Sequence, residues 1–476
     1  MKHFLFLISL FFVGSSFSQE NMLLLENNLK ESDIWLKQSF ASVDQLNNNL
    51  SLYIEDFDEI YGFLYNEKLE KISELSAKTL PNKYRVYLGN GVDDLQHNVY
   101  ISNNKKTKFG VYSFDFKSKN VEVNKIDIEL KKEKFLQALT YQNTFYIFTV
   151  LKEQSLINVY QFSKESYLKK TIDLSHKTFL NDENEVSTLY NILLRGTSIN
   201  VVKIEAQNPN SIELVSEYFK LYTVDNGFKI SLDKSDAFTQ ILTINLDNLE
   251  AHVENFDKPY LKNKWNLKTN SFIYNDHLFQ FSTNTEEFVF NIKNISTNKT
   301  IKEYRITEND SISIKNSPII QEGTYSNKRE MEKTKKFLRK ISKGKIGISI
   351  YKIDDKLQIT LGGFVEKNGG GAMFMPGIGG FPIGAVEGAS LFFNPTMFAY
   401  NSYSVTKSTY INCLFDNDFN HVGGSIMDNV FDRINAFVKK NEKYIDAKIL
   451  FQYKDFIVLG TSVKNTNNYR LLKFKD

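Results

Sequence analysis

Val111-Tyr112-Ser113-Phe114, answered after a polar turn by Ile126-Asp127-Ile128, and Val159-Tyr160-Gln161-Phe162, answered by Ile172-Asp173-Leu174, are two copies of one two-strand phrase. Fainter copies are Ile60-Tyr61-Gly62-Phe63, Val201-Val202-Lys203-Ile204, Ile241-Leu242-Thr243-Ile244, Val289-Phe290-Asn291-Ile292 and Leu471-Leu472-Lys473-Phe474. The second position of the phrase recurs at 61, 112, 160, 202, 242 and 290, a step of about 40 to 50 residues. Another apolar alternation ending in a polar turn often precedes it, as in Phe145-Tyr146-Ile147-Phe148 and Phe456-Ile457-Val458-Leu459. Each unit therefore reads as a meander of short strands, rich in the aromatic and β-branched side chains that suit a half-buried sheet.

Such a sheet cannot bury its faces alone. Neighbouring sheets must stack, and closing the stack into a ring leaves only short edges exposed. From about residue 49 to the end the chain resembles the β-propeller superfamily at this generic level. It lacks the Trp-Asp and Gly-His marks of WD40 blades, and carries no kelch glycine pair or Asp-box series. The resemblance names a fold and carries no functional residues across. The expectation is an all-β propeller of about seven four-stranded blades, within six to eight, carrying short helical insertions.

The rhythm breaks twice. Asn327 to Lys345 is dense in Lys and Arg, with Met331, Phe337, Leu338 and Ile341 near helical spacing. The span from Gly362 to about Ser404 is glycine-rich. A helical pattern follows near Met427 to Lys439, with Phe431, Ile434 and Val438 on one face. Ahead of the first phrase, residues 19 to 48 are rich in Leu and Asn, and Ile34 to Leu46 fits a helix or an extended segment. The chain ends just after a third-strand phrase, so an N-terminal strand, Met22 to Leu25, is expected to complete the last blade.

Residues 1 to 18 read as a secretory signal, with Lys2 as the positive start, Phe4 to Val13 as the apolar run and small residues before Gln19. That run is too short to span a bilayer, and no later stretch reaches spanning length. No cysteine follows it, which excludes a bacterial lipoprotein anchor. The expected compartment is periplasm, outer surface or medium. Cys413 is the only cysteine, so no intramolecular disulfide forms, and its alternating surroundings, Tyr410-Ile411-Asn412-Cys413-Leu414, mark it as a small buried apolar group rather than a nucleophile. The formal net charge is +3 with both signs scattered, which gives no footprint for nucleic acid.

Three features are candidates for chemistry. The glycine-rich stretch presents Met373, Phe374, Met375, Ile378, Phe381 and Ile383 with almost no charge. It lacks the Lys and Ser or Thr of a phosphate-binding loop, so it either plugs the ring, covers a substrate, or contacts a protein or envelope partner. The basic stretch, with Lys335, Lys336, Arg339 and Lys340 at its centre, reads as a solvated helix face or as a dock for anionic lipid or polymer. Asp416, Asp418 and His421 form the best acidic cluster and Asp56-Asp58-Glu59 the next. Alternating carboxylates can hold a cation, but the glycine turn and distal Glu of a calcium loop are missing, and Asp-Asn-Asp is ordinary turn chemistry. His97, His176, His252, His277 and His421 have no metal-type spacing. No cofactor motif is evident.

The resulting expectation is an exported or cell-envelope propeller that binds or scaffolds, with the apolar loop as its contact element. A glycan- or peptide-active enzyme with its site in the central channel stands second, and a structural envelope protein third, because propellers host all three.

Overall fold

The computed structural model describes residues 20–26, 38–322, 328–365, 395–404 and 408–475, less positions 57, 82, 85, 197, 464, 465 and 467. The six apolar residues of the glycine-rich stretch and the segment read as a signal lie outside the described residues.

Seven sheets of four or five strands form a β-propeller. Blade one is Gln38–Val43, Leu50–Glu55, Glu59–Tyr65 and Lys71–Lys78. Blade two is Val86–Asp93, Gln96–Ser102, Phe109–Asp115 and Asn120–Ile126. Blade three is Glu133–Tyr141, Thr144–Leu151, Leu156–Ser163 and Ser166–Asp173. Blades four and five are built the same way, from Phe219–Val224 to Ala251–Asp257 and from Lys268–Tyr274 to Thr300–Thr307. The first strands of neighbouring blades meet, as Val86–Asp93 does with Glu133–Tyr141 and Lys268–Tyr274 with Lys345–Ile353, so these strands line the axis.

The phrase copies at 60, 111, 159, 241 and 289 fall on the third strand of successive blades. The copy at 201 does not. Val202–Ile204 is an extra strand lying parallel to the first strand of blade four, on its axial side. The stretch around Ile34 to Leu46 holds no helix among its described residues: Gln38–Val43 is the first strand of blade one, where Phe40 stacks on Tyr53 at 5.1 Å and on Tyr87 at 4.9 Å.

Two blades depart from a simple meander. In blade six, Lys345–Ile353, Lys356–Phe364 and Thr409–Phe415 run outward from the axis, and the next strand out, Ile319–Gln321, comes from earlier in the chain with Arg329–Met331 beyond it. Blade seven is Ile445–Tyr453, Phe456–Val463 and Asn468–Phe474, and its outer strand is Glu20–Glu26, with Leu23 opposite Leu471 and Leu24 opposite Arg470.

Among the described residues five helices decorate the ring: α1 (Leu189–Leu193), α2 (Ile212–Val215), α3 (Thr334–Ile341), α4 (Pro395–Ser404) and α5 (Val430–Asn441). Phe337, Leu338 and Ile341 are the buried seam of α3, and Met331 belongs to the strand before it. Phe431 and Ile434 bury one face of α5.

Aromatic pairs fill the seams. Tyr100 stacks on Phe145 at 4.2 Å between blades two and three, Phe148 meets Phe228 at 4.8 Å between three and four, and Phe290 meets Phe415 at 6.2 Å between five and six. Each such ring, fully buried, contributes roughly 1.5–3 kcal/mol. Cys413 is wholly buried in blade six opposite Ile359, and burial pushes its thiol far above its ordinary range, which suits an inert packing group.

A buried ionic cluster joins blades four and five. Lys220 Nζ donates to Asp233 Oδ2 at 2.8 Å, to Asn270 Oδ1 at 2.8 Å and to Glu217 O at 2.7 Å. Thr239 and Ser271 donate to the same carboxylate at 2.8 and 2.7 Å, while Lys258 Nζ donates to Asp233 O, Ser235 O and Thr269 Oγ1. Burial alone would lift the Asp233 carboxyl; the two ammonium groups outweigh it and hold it well below the carboxylate range. Asn270 Nδ2 extends the cluster to Ser216 O and Ile346 O, both at 2.9 Å, tying the end of α2 to blade six.

Candidate functional site

Alternation along a strand sends successive side chains to opposite faces of the sheet. In blade six this separates two chemistries. Ile348, Ile350, Ile359, Leu361, Ile411 and Cys413 share the face that joins the core. Ser349, Tyr351, Gln358, Thr360, Tyr410 and Asn412 share the other. That polar face looks towards blade seven, and α4 and α5 stand in the seam: α4 packs on Ile445–Tyr453, α5 on Asn468–Phe474, and the helices on each other. Phe437 reaches Phe474 at 5.8 Å and Tyr400 reaches Phe431 at 5.4 Å, so the helices carry the apolar contact that a blade face would otherwise make. Between them and the polar face lies a cavity of about 940 Å³.

Each wall is fixed locally. α2 lies flat on blade six because position 347 is glycine; a Cβ there would stand 2.8 Å from Val215 Cγ2 and 3.0 Å from Ile212 O. Ser211 caps α2 by accepting from Leu214 N at 3.1 Å, and its hydroxyl also bonds that of Ser402 on α4. Asn210 N donates to Ser349 Oγ at 3.3 Å, and Asn210 Nδ2 donates to Asn208 O at 2.7 Å and Glu205 O at 3.0 Å.

The opposite wall is the start of α5. Asn429 and Asp432 form a capping box, each side chain accepting from the other's end of the first turn. Asn429 Nδ2 donates to Tyr403 Oη at 2.8 Å, and Tyr403 Oη donates to Asp432 Oδ1 at 3.1 Å. On the outer side Tyr410 Oη donates to Glu322 Oε1 at 2.9 Å. Burial, then the neighbouring carboxylates, pushes both phenols well above their ordinary range, so they remain donors. Burial also raises the Asp432 carboxyl, against its hydrogen bonds from Asn429 and Tyr403.

Two acceptors in these walls stay without a donor. Asn210 and Gln358 are 4 % and 8 % exposed, and Asn210 Oδ1 and Gln358 Oε1 have no hydrogen-bond partner among the described residues. Among the described residues the lining carries four acids, Glu322, Glu330, Asp428 and Asp432, against one lysine, Lys328. Chemically this is a space rich in acceptors, negative in charge and walled by tyrosine rings.

The sequence candidates lie elsewhere. Lys335, Lys336 and Arg339 are exposed on α3 and Lys340 is half-buried there; Lys335 pairs with Glu308 at 3.0 Å. Asp416 accepts from Asp418 N at 2.9 Å, Asn420 N at 2.8 Å and Asn420 Nδ2 at 3.1 Å, the bonding of a turn. Asp418 is exposed, and His421 Nε2 bonds Asn316 Oδ1 at 3.0 Å. Asp56 likewise accepts from the backbone of Asp58 and Glu59. Among the described residues no group of three or more His, Cys, Asp or Glu is placed to hold a metal ion, and no helix is long and apolar enough to cross a membrane. From the span Asn327 to Lys345, Lys328 and Glu330 reach the cavity.

No family model matches the chain, and no curated protein matches it by sequence. Among solved structures it is similar to the subtype N10 neuraminidase-like protein of a little yellow-shouldered bat isolate, at 11% identity over 72% of this chain and 95% of that one, TM-score 0.26. It is similar to Kluyveromyces lactis Hsv2 at 10% identity over 69% and 73%, TM-score 0.27. Prolyl oligopeptidase B from Galerina marginata is matched at 8% identity over 90% of this chain, which spans 47% of that one, TM-score 0.29. These likenesses assign no family and no activity.

Proposed function

We propose that this propeller is an exported binding module whose ligand seat is the cavity between blades six and seven. One observation carries the reading: a blade face that should pack on its neighbour is instead polar and opens into about 940 Å³ of space, within the size range of small-molecule sites. Export rests on the signal-like first 18 residues. The apolar glycine-rich stretch keeps its proposed role as contact element for a protein or envelope partner. It joins Lys356–Phe364 to α4, and both elements line the seat through Gln358, Thr360 and Tyr403.

The test is a thermal-shift panel of small cations, anions and neutral sugars on the full protein and on Thr360→Trp, which pushes an indole from the polar face into the cavity, after its fold is checked by circular dichroism. A compound that stabilises only the unmodified protein supports the seat. If none does, the reading is wrong.

A second reading, a hydrolase acting on glycan or peptide, is favoured by one observation: two carboxyl groups, Glu322 and Asp432, share the cavity, and burial raises the second. Turnover of chromogenic glycosides or peptides, lost in Asp432→Asn, is its test.

A further inference from the structure

We infer that the seat takes an organic cation bearing N–H donors, a primary ammonium group. This rests on the reading of the cavity as a ligand site and names the class of ligand.

Three independent features of the lining agree. The first is charge: among the described residues the lining acids Glu322, Glu330, Asp428 and Asp432 outnumber Lys328 and the Arg433 that interacts with Asp428 and Asp432, so an anion entering the space would meet net repulsion. The second is hydrogen-bond polarity. Asn210 gives both amide protons to backbone carbonyls, which fixes the amide the right way round and leaves Oδ1 as an acceptor awaiting a donor. Gln358 Oε1 is likewise buried with no partner among the described residues, and a buried acceptor left empty is costly. The third is the aromatic wall. Tyr351, Tyr403 and Tyr410 line the cavity, and ring faces attract cations.

A neutral sugar would satisfy the acceptors and leave the charge unmatched. A quaternary ammonium would match charge and rings but bring no N–H to Asn210 and Gln358. An alkylammonium does all three. It occurs on free polyamines and on lysine side chains, and the shared chemistry is what the seat reads.

The experiment is calorimetry on the full protein with spermidine, a short peptide carrying one central lysine, the same peptide with trimethyl-lysine, N-acetylglucosamine and citrate. The expected result is binding of an amine, with spermidine favoured if the natural source is a free polyamine and the lysine peptide if it is a protein. Trimethylation, and separately Glu322→Gln, should each weaken the favoured amine about tenfold or more. Glu322→Gln is isosteric, and its melting temperature shows whether it folds; the trimethyl arm needs no variant. Cavity-dependent binding of citrate or the sugar without the amines overturns the cation and leaves the seat standing. Amine binding that survives Thr360→Trp, Glu322→Gln and trimethylation marks plain surface attraction and overturns the inference. No binding by any probe overturns the inference and the seat together.

Discussion

Lys220 and Asp233 meet at 2.8 Å with neither side chain exposed, at the joint between blades four and five. A second lysine, Lys258, shares the carboxylate from 3.5 Å. Removing the carboxylate leaves two ammonium groups buried without their counter-charge, which typically costs 3–5 kcal/mol. Asp233→Asn should therefore lower unfolding free energy by about 3 kcal/mol or more in a urea titration. Thr171→Ala, at an ordinary cross-strand contact on blade three, serves as the mild control, because Thr171 is exposed and makes a single side-chain bond to Asn158. Equal midpoints for the two variants would refute the cluster's role.

His97 sits 1 % exposed in blade two, bonded to Ser51 Oγ through Nδ1 at 2.8 Å, with Nε2 lacking a partner. Burial lowers its pKa from 6.5 to about 4. The folded state therefore holds the neutral ring. Above pH 6.5 neither state binds the proton and nothing is lost; between 6.5 and 4 the unfolded chain binds it and the folded one does not, so stability falls as pH falls. The total loss should be roughly 2–4 kcal/mol. His97→Gln should flatten that part of the stability profile, and an unchanged slope would count against the assignment.

Gly347 lets α2 rest on blade six. A methyl group there meets both a valine side chain and the backbone of Ile212, so Gly347→Ala should cost roughly 1–3 kcal/mol and displace the wall that carries Asn210. Ligand affinity at the seat should fall along with melting temperature. A variant that melts lower yet binds unchanged would separate α2 from the site.

The outer strand of blade seven is Glu20–Glu26, held by the register Leu23 to Leu471 and by Lys473 to Glu20 at 2.8 Å. Deleting residues 19 to 30 removes that strand together with the buried side chain of Leu25, which is 7 % exposed, and uncovers the edge of Asn468–Phe474. A melting temperature lower by several degrees is the expected outcome, about what a loss of 1–3 kcal/mol gives. Full retention would show that the strand does not secure the ring.

How far the sequence revealed this molecule follows from what local alternation can encode. Val111 to Phe114 and Val159 to Phe162 are buried nearly throughout, because a third strand packs against blades on both sides, and that run of apolar residues is visible without coordinates. The copy at Val201 misled because three β-branched or lysine positions read the same whether the strand ends a meander or lies parallel inside the ring. The seat escaped notice for a different reason. Its described residues come from five strands and three helices, and none of Ser349, Thr360 or Tyr410 belongs to a motif. One signal was present: Ser349 and Tyr351, like Gln358 and Thr360, alternate with Ile and Leu on inner strands, where both faces of a propeller blade are normally covered by apolar neighbours. The buried trio Lys220, Asp233 and Lys258 was illegible because ordinary surface charges have the same spelling.

Among the described strands, Glu20–Glu26 leaves the ribosome first and finds its partner last, since Lys473 and Glu20 stand 453 positions apart. Throughout synthesis its three leucines form a lone β-edge, open to the wrong neighbour. The charge of Glu20 at the start of that edge discourages edge-to-edge aggregation until Asn468–Phe474 arrives. Closing the ring therefore waits on a strand made at the far end of the chain.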